Sequence, residues 1–231
     1  MSESHHPARP TRPTRPARPA RPTRPVPAPP PLSLTERRKA ATQQEIALTA
    51  ARLFAEHGAE GTTAEDIARG CGVSLRTFYR YFRAQEDAVA PLLAEAPRRW
   101  VALLAATAPG TPPLTALLDS ARAALAPAPG PAAESLERTR GLLRAMPRDP
   151  ALRDVWHRVH HDAETALRPA LARLTGLDPE GLDVRLPAAA ASTAMRLAVE
   201  TWAVGDPPPA TAAALAGTVV RRLVGPLLPP A

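Results

Sequence analysis

The stretch from Thr62 to Phe82, TTAEDIARGCGVSLRTFYRYF, restricts this chain more than any other. Two short helix-forming pieces flank the triplet Gly70-Cys71-Gly72, which supplies the turn between them. Helices of about two turns do not persist alone in water, so both must pack on something longer. Ile67 and Ala68 on the first piece, and Phe78 and Phe82 four apart on the second, are the residues that face such a core. Thr62 or Thr63 is placed to cap the first piece, with Glu65 or Asp66 reaching back, and Ser74 to cap the second.

The longer partner precedes them. From about Thr35 the residues Ile46, Ala50, Leu53, Phe54 and His57 follow the three-four spacing of one helix face, and Gly58 stops it. Ser33 with Glu36, or Thr35, is positioned to cap its start. Beyond residue 91 the composition turns to Ala, Leu, Arg and Pro, and prolines divide it into segments. Helices are expected near 86–106, 112–126, 133–146, 150–175, 188–204 and 210–227, with a kink in the first of these at Pro91 and Pro97. Runs of β-branched residues are short and never alternate, so strands are not expected. The fold class is all-α: a three-helix helix-turn-helix domain at 32–90 and a larger helical domain at 91–231.

Residues 1–31 are a separate case. Arg9, Arg12, Arg15, Arg18, Arg21 and Arg24 recur every third position, each followed by proline. Polyproline II repeats every three residues, which would align the guanidinium groups along one edge of an extended, disordered tail. The tail carries most of the net charge of +7, because residues 32–90 hold eight basic and eight acidic side chains. Any nucleic-acid affinity of the folded part must therefore come from local placement of charge. Whether the tail is a basic arm on phosphates, a solvated extension or a start-site artefact is open at this level.

Several classes are disfavoured. Cys71 is the only cysteine, which rules out an intrachain disulfide and fits a cytoplasmic protein. No run of eighteen apolar residues suggests a membrane span, and no Gly-rich phosphate loop, nucleophile elbow or carboxylate cluster suggests catalysis. His157 and His161 lack further ligands to complete a metal site, and no cofactor is expected.

The second short piece has the chemistry of a helix that enters a DNA groove. Ser74, Leu75, Arg76 and Thr77 sit at its N-terminal end, where small and polar side chains meet base edges. Tyr79 and Tyr81 flank it with hydroxyls that can donate to phosphate oxygens. Phe54, Phe78, Tyr79, Tyr81 and Phe82 are every Phe and Tyr in the chain, gathered at this one place.

Residues 44–92 resemble the DNA-binding domain of the tetracycline-repressor (TetR) family of bacterial transcription regulators. The resemblance rests on AARLFAEHG (50–58), TTAEDIA (62–68), GVS (72–74), TFYRYF (77–82) and Glu86-Asp87. It implies that Thr62, Thr63, Thr77, Tyr79 and Tyr81 lie at the backbone or nearby bases, and that Ser74, Leu75 and Arg76 face the groove. Gln85 stands where the family usually has Lys, and Leu75 where many relatives carry a basic or polar residue.

The run 142–177 resembles the ligand domain of the mycofactocin-regulator-like branch. That likeness implies a pocket in each subunit and a dimer formed through the last two long helices. Pocket candidates are Trp156 and His160 on one flank of the 150–175 helix, with Trp100, Arg140, Arg144, Met146, Met195 and Trp202. The core stripe expected on that helix is Leu152, Val155, Val159, Ala163, Ala166, Ala170 and Leu174. The partners implied are a double-stranded DNA operator, a small-molecule effector and a second copy of the chain. The expected function is a ligand-released repressor. An architectural protein that coats any duplex through the arginine tail is the alternative.

Overall fold

The computed structural model describes residues 33–58, 60–126 and 131–228, with the backbone alone at 131–134. The arginine-proline stretch at 1–31 lies outside the described residues. Among those described there is no strand, and the fold is all-helical.

Helix α1 (Leu34–His57) opens on a reciprocal cap: Glu36 N donates to Ser33 Oγ at 3.2 Å and Ser33 N to Glu36 Oε2 at 2.8 Å. Its buried face is Ile46, Ala47, Ala50, Ala51 and Phe54, while His57, expected on that face, is exposed beside Glu56. Helix α2 (Ala64–Gly70) and helix α3 (Leu75–Tyr81) are the two short pieces, and both pack on the core that α1 provides.

The single fourth helix expected over 86–106 is divided. A 3-10 turn at Glu86–Val89 leads into α4 (Ala90–Leu93), and α5 (Glu95–Ala105) follows after Ala94. Pro91 and Pro97 explain the division. Neither has an N–H to give, and each falls in a first turn, where that N–H would have no helical partner.

The remaining helices are α6 (Pro113–Leu125), α7 (Pro131–Ala145), α8 (Pro150–Thr175), α9 (Leu182–Val204) and α10 (Pro209–Val224). Four of them begin on the prolines themselves, which suit a first helical position because their φ is already set. At α8 the Asp149 side chain completes the cap by accepting from Leu152 N at 2.9 Å. Two prolines depart from this rule, Pro169 inside α8 and Pro187 inside α9. Pro187 was expected to precede α9, yet the helix starts at Leu182 and carries Pro187 buried within it. The loss is one carbonyl partner near the helix start, set against the burial of an apolar ring.

Helices α5, α6, α10, α9 and α8 close a circuit in which each packs on the next. Helix α1 packs against the 86–93 segment and α7, so one apolar core runs through both halves. The buried stripe of α8 also differs from expectation. Trp156, His160, Leu167 and Leu171 are inside, Ala166 is exposed and Leu174 is half-buried. The stripe drifts around the helix because α9 covers one side of α8 and α5 another.

Candidate nucleic-acid interface and ligand slot

The turn between α2 and α3 is fixed by backbone hydrogen bonds. Val73 N donates to Ala68 O at 3.0 Å and Gly72 N to Arg69 O at 3.2 Å, the paired closure of a helix that ends in a left-handed residue. Gly72 supplies that residue, at φ +67°. Gly70 answers a different need: a Cβ there would stand 2.8 Å from Thr49 Cγ2, so a larger residue would push α2 away from α1. Cys71, between them, is half-buried and donates to Ile67 O at 2.7 Å; burial pushes its thiol pKa up.

Helix α3 has an inner and an outer side. Phe78 is fully buried, with Tyr79 edge-on at 5.4 Å and Phe82 tilted at 5.6 Å. Outside, Ser74, Arg76, Tyr79 and Arg80 are exposed, with Tyr79 at 54%. Thr77 and Tyr81 are half-buried, as is Leu75, which packs on the edge of the core. Ser74 Oγ caps Thr77 N at 3.1 Å, and the Ser74 and Thr77 hydroxyls are hydrogen-bonded to each other at 2.9 Å. Gln85 is half-buried in the bend that follows.

Arg76 has no hydrogen-bond or ion-pair partner among the described residues, so its guanidinium is available to a ligand. Two further arginines share its exposure: Arg80, whose guanidinium lies 5.1 Å from the Tyr81 ring, and Arg83. Sequence reasoning passed over both, although Arg76 and Arg80 are four apart on one helix face; Arg83 lies just past the end of α3.

The two threonines before α2 part company. Thr63 caps the helix, accepting from Asp66 N at 3.1 Å, and is exposed. Its hydroxyl and backbone N–H hold the Asp66 carboxyl below the usual carboxylate range. Thr62, expected at the DNA, is instead only 1% exposed. Its hydroxyl donates to Gly58 O at 2.8 Å and approaches Leu53 O at 3.3 Å. It ties the end of α1 to the start of α2 and presents nothing outward.

In the larger half, a narrow slot of about 50 Å³, open to solvent at its mouth, lies where α4 to α9 converge. Its wall is mostly apolar, with Leu92, Leu93, Pro97, Leu125, Met195 and Val199. Glu95 and Ser135 join across its edge, the Ser135 hydroxyl donating to Glu95 Oε2 at 2.5 Å. Of the eight pocket candidates, Trp156, His160 and Met195 border it.

The other five do not, and four of them have structural contacts that account for them. Trp100 is sealed in, its indole N–H donating to Ser120 Oγ at 3.1 Å. Arg140 lies over the buried Trp202 ring at 3.8 Å and donates to Pro207 O at 2.5 Å. The Trp202 indole closes the same turn through Pro208 O at 3.2 Å. Arg144 donates to Ala203 O, Gly205 O and Asp206, so two arginines four apart on α7 clamp the α9–α10 connection. Met146 is buried beside a separate surface cleft that it shares with Arg144 and Trp156.

Among the described residues no group of side chains could hold a metal ion, and no helix is long and apolar enough to cross a membrane. What the fold does define is a helix-turn-helix protein whose second helix faces outward, joined to a helical body with an apolar slot.

Comparison with known proteins makes this specific. Residues 46–89 match the model of the family described as bacterial regulatory proteins, tetR family. The chain is 28% identical over 147 residues to the HTH-type transcriptional regulator TcmR of Streptomyces glaucescens, covering 63% of this chain and 65% of that protein. It is 39% identical over 49 residues to the mycofactocin biosynthesis transcriptional regulator MftR of Mycobacterium tuberculosis, 21% of this chain and 25% of that one. The matched segments thus span less than two thirds of either relative. A solved TetR-family regulator from a Rhodococcus species shares the fold, with a TM-score of 0.53 at 17% identity over 80% of this chain and 99% of that one. Residues 46–89 thus carry the tetR-family match, and the fold is shared with a solved regulator of that family.

Proposed function

We propose that this protein is a sequence-specific DNA-binding transcription regulator, a homodimeric repressor that a small molecule releases from its operator. The observation that carries the reading is the two-sided character of α3. Phe78 anchors it from within, while Ser74, Arg76 and Tyr79 stand outside with Arg80. Arg76 and Ser74 are placed for base edges, and Thr63, Thr77, Tyr79, Tyr81, Arg80 and Arg83 for phosphates. Gln85 lacks the charge for a strong phosphate contact.

Residues 32–90 form the DNA-binding unit and 91–231 the effector and dimerisation unit. Helices α9 and α10 are the dimer surface, supported by exposed Leu186, Thr193, Leu197 and Val204 along α9 and Leu223 on α10. Two copies of α3 would then enter successive major grooves about 34–36 Å apart. The slot bordered by Trp156, His160 and Met195 takes the effector. Helices α4 and α5 contribute Leu92, Leu93, Ala96 and Pro97 to its wall, and the same segment leads back to α3. Arg158 of α8 pairs with Asp87 just before α4, a second tie between the halves. An effector acts only through its difference in affinity for the two states, typically ~1–3 kcal/mol. The likeness of 142–177 to the mycofactocin-regulator branch is part of this proposal, as are a cytoplasmic location and the absence of an enzymatic role.

The test is selection of genomic fragments by the purified protein, followed by gel-shift competition against random duplex. A fragment that survives a large excess of random competitor supports the reading. Equal competition would replace it with the architectural alternative, in which the arginines of 1–31 carry the affinity. Removing 1–31 then tells which part touches DNA, because the log–log salt slope changes by ~0.9 for each phosphate no longer neutralised.

A further inference from the structure

One side chain on the slot wall is left chemically incomplete. His160 is 5% exposed, and its Nε2 has no hydrogen-bond partner. Its other ring nitrogen, Nδ1, faces Ser192 Oγ at 3.5 Å, while Ser192 Oγ donates to the His160 carbonyl at 2.7 Å. A serine hydroxyl has one proton, and here the carbonyl takes it. Ser192 Oγ can therefore meet Nδ1 only as an acceptor, which places the imidazole proton on Nδ1 and leaves a bare lone pair on Nε2.

The neighbours do not supply the missing donor. The Trp156 indole lies edge-on at 4.2 Å, but its N–H is committed to Glu200 Oε1 at 2.8 Å. Arg196 is paired with the same carboxylate at 3.0 Å. Buried acceptors are seldom left unpaired, and one on a cavity wall is completed by whatever fills the cavity.

We propose that the slot selects a neutral, largely apolar small molecule whose hydroxyl or N–H group donates a hydrogen bond to His160 Nε2. This rests on the reading of the slot as the effector site. Leu92, Leu93, Leu125, Met195 and Val199 favour the apolar body. Glu95 and Arg99 both border the slot, one charge of each sign, so its wall favours neither an anion nor a cation, and an anion would also meet the Nε2 lone pair. The imidazole remains an acceptor at neutral pH because burial, then Arg196 and His157, hold its pKa at about 3.

The experiment compares 2-naphthol, which has the donor, with its methyl ether 2-methoxynaphthalene, which lacks it, by titration calorimetry on the full chain. The naphthol should bind roughly tenfold more tightly, the worth of one net hydrogen bond. His160→Phe should lower naphthol affinity to that of the ether without weakening the ether. His160→Gln, which keeps an acceptor, should retain part of the difference. Nitrogen-15 correlation spectra of the unsubstituted protein should show Nε2 unprotonated and perturbed by naphthol, a readout that does not depend on any variant folding. Equal affinities, no binding of either compound, or an Nε2–H tautomer would each overturn the proposal. DNA binding separates the two levels. If no fragment is bound selectively, the regulator reading falls while the naphthol preference stands. If DNA is bound but naphthol has no advantage, only the present inference falls.

Discussion

Acidification should weaken this fold through His160 before most carboxylates titrate. The imidazole is held from an ordinary 6.5 down to about 3, by burial first and then by the charges of Arg196 and His157. The unfolded chain therefore takes up a proton below pH 6.5 that the folded chain refuses until about pH 3. Stability is fully present above the unfolded value and is lost as the pH falls through that window. Between about pH 7.5 and about pH 5 this one group should remove about 2 kcal/mol per chain, from the one-proton linkage relation. The figure barely depends on the folded value, because pH 5 lies well above about 3. The assay is urea unfolding followed by tryptophan fluorescence at fixed protein concentration, with His160→Gln measured in parallel. Glutamine does not titrate, so the variant should lose about 2 kcal/mol less than the unsubstituted protein over that range. Carboxylates held low, such as Asp66 and Asp206, contribute equally to both and cancel. Equal acid sensitivity in the two proteins would refute the reasoning and show that His160 either opens to water or keeps its proton inside.

Other expectations concern the DNA-binding half and its connection. Thr62→Val should cost about 1–2 kcal/mol of stability by removing the buried donor to Gly58 O, while leaving operator preference unchanged in gel-shift competition. Tyr79→Phe should weaken binding to all duplexes by about 1 kcal/mol if its exposed hydroxyl meets a phosphate, measured by fluorescence anisotropy. Arg76→Ala should instead relax preference at one or two base pairs, and an unchanged selected motif would remove Arg76 from base readout. Asp87→Asn, which breaks the pair with Arg158, should alter how strongly an effector changes operator affinity more than it alters affinity without effector.

Local chemistry made the first half legible. The caps Ser33, Thr63 and Ser74, the Gly70-Cys71-Gly72 turn and the Phe78–Phe82 pair depend on neighbours three or four residues away, which a sequence displays. The same local logic stopped short at Thr62. Either threonine satisfies a capping pattern, and only the return of the chain past Leu53 and Gly58 decides which is buried. Prolines marked the divisions between helices as expected, and Pro113, Pro131, Pro150 and Pro209 are themselves helix starts. The slot was the least legible element. Large aromatics and arginines serve equally as cavity wall or as clamp, and the choice depends on which helices converge. Trp156 faces the slot, whereas Trp100 and Trp202 close on Ser120 and Pro208. The bare nitrogen of His160 depends on Ser192, thirty-two residues away, and no spacing rule announces it.

The interruption at Ala94 has a mechanical corollary. A single rod running from the DNA-reading unit to the effector cavity would turn as one piece, so that any twist at one end would appear undiminished at the other. With the rod cut into two shafts, the short one bearing Leu92 and Leu93 and the other bearing Pro97, the angle between them becomes an adjustable quantity. Both shafts touch the cavity, so under the proposed function what fills it would set that angle like a wedge driven into an elbow.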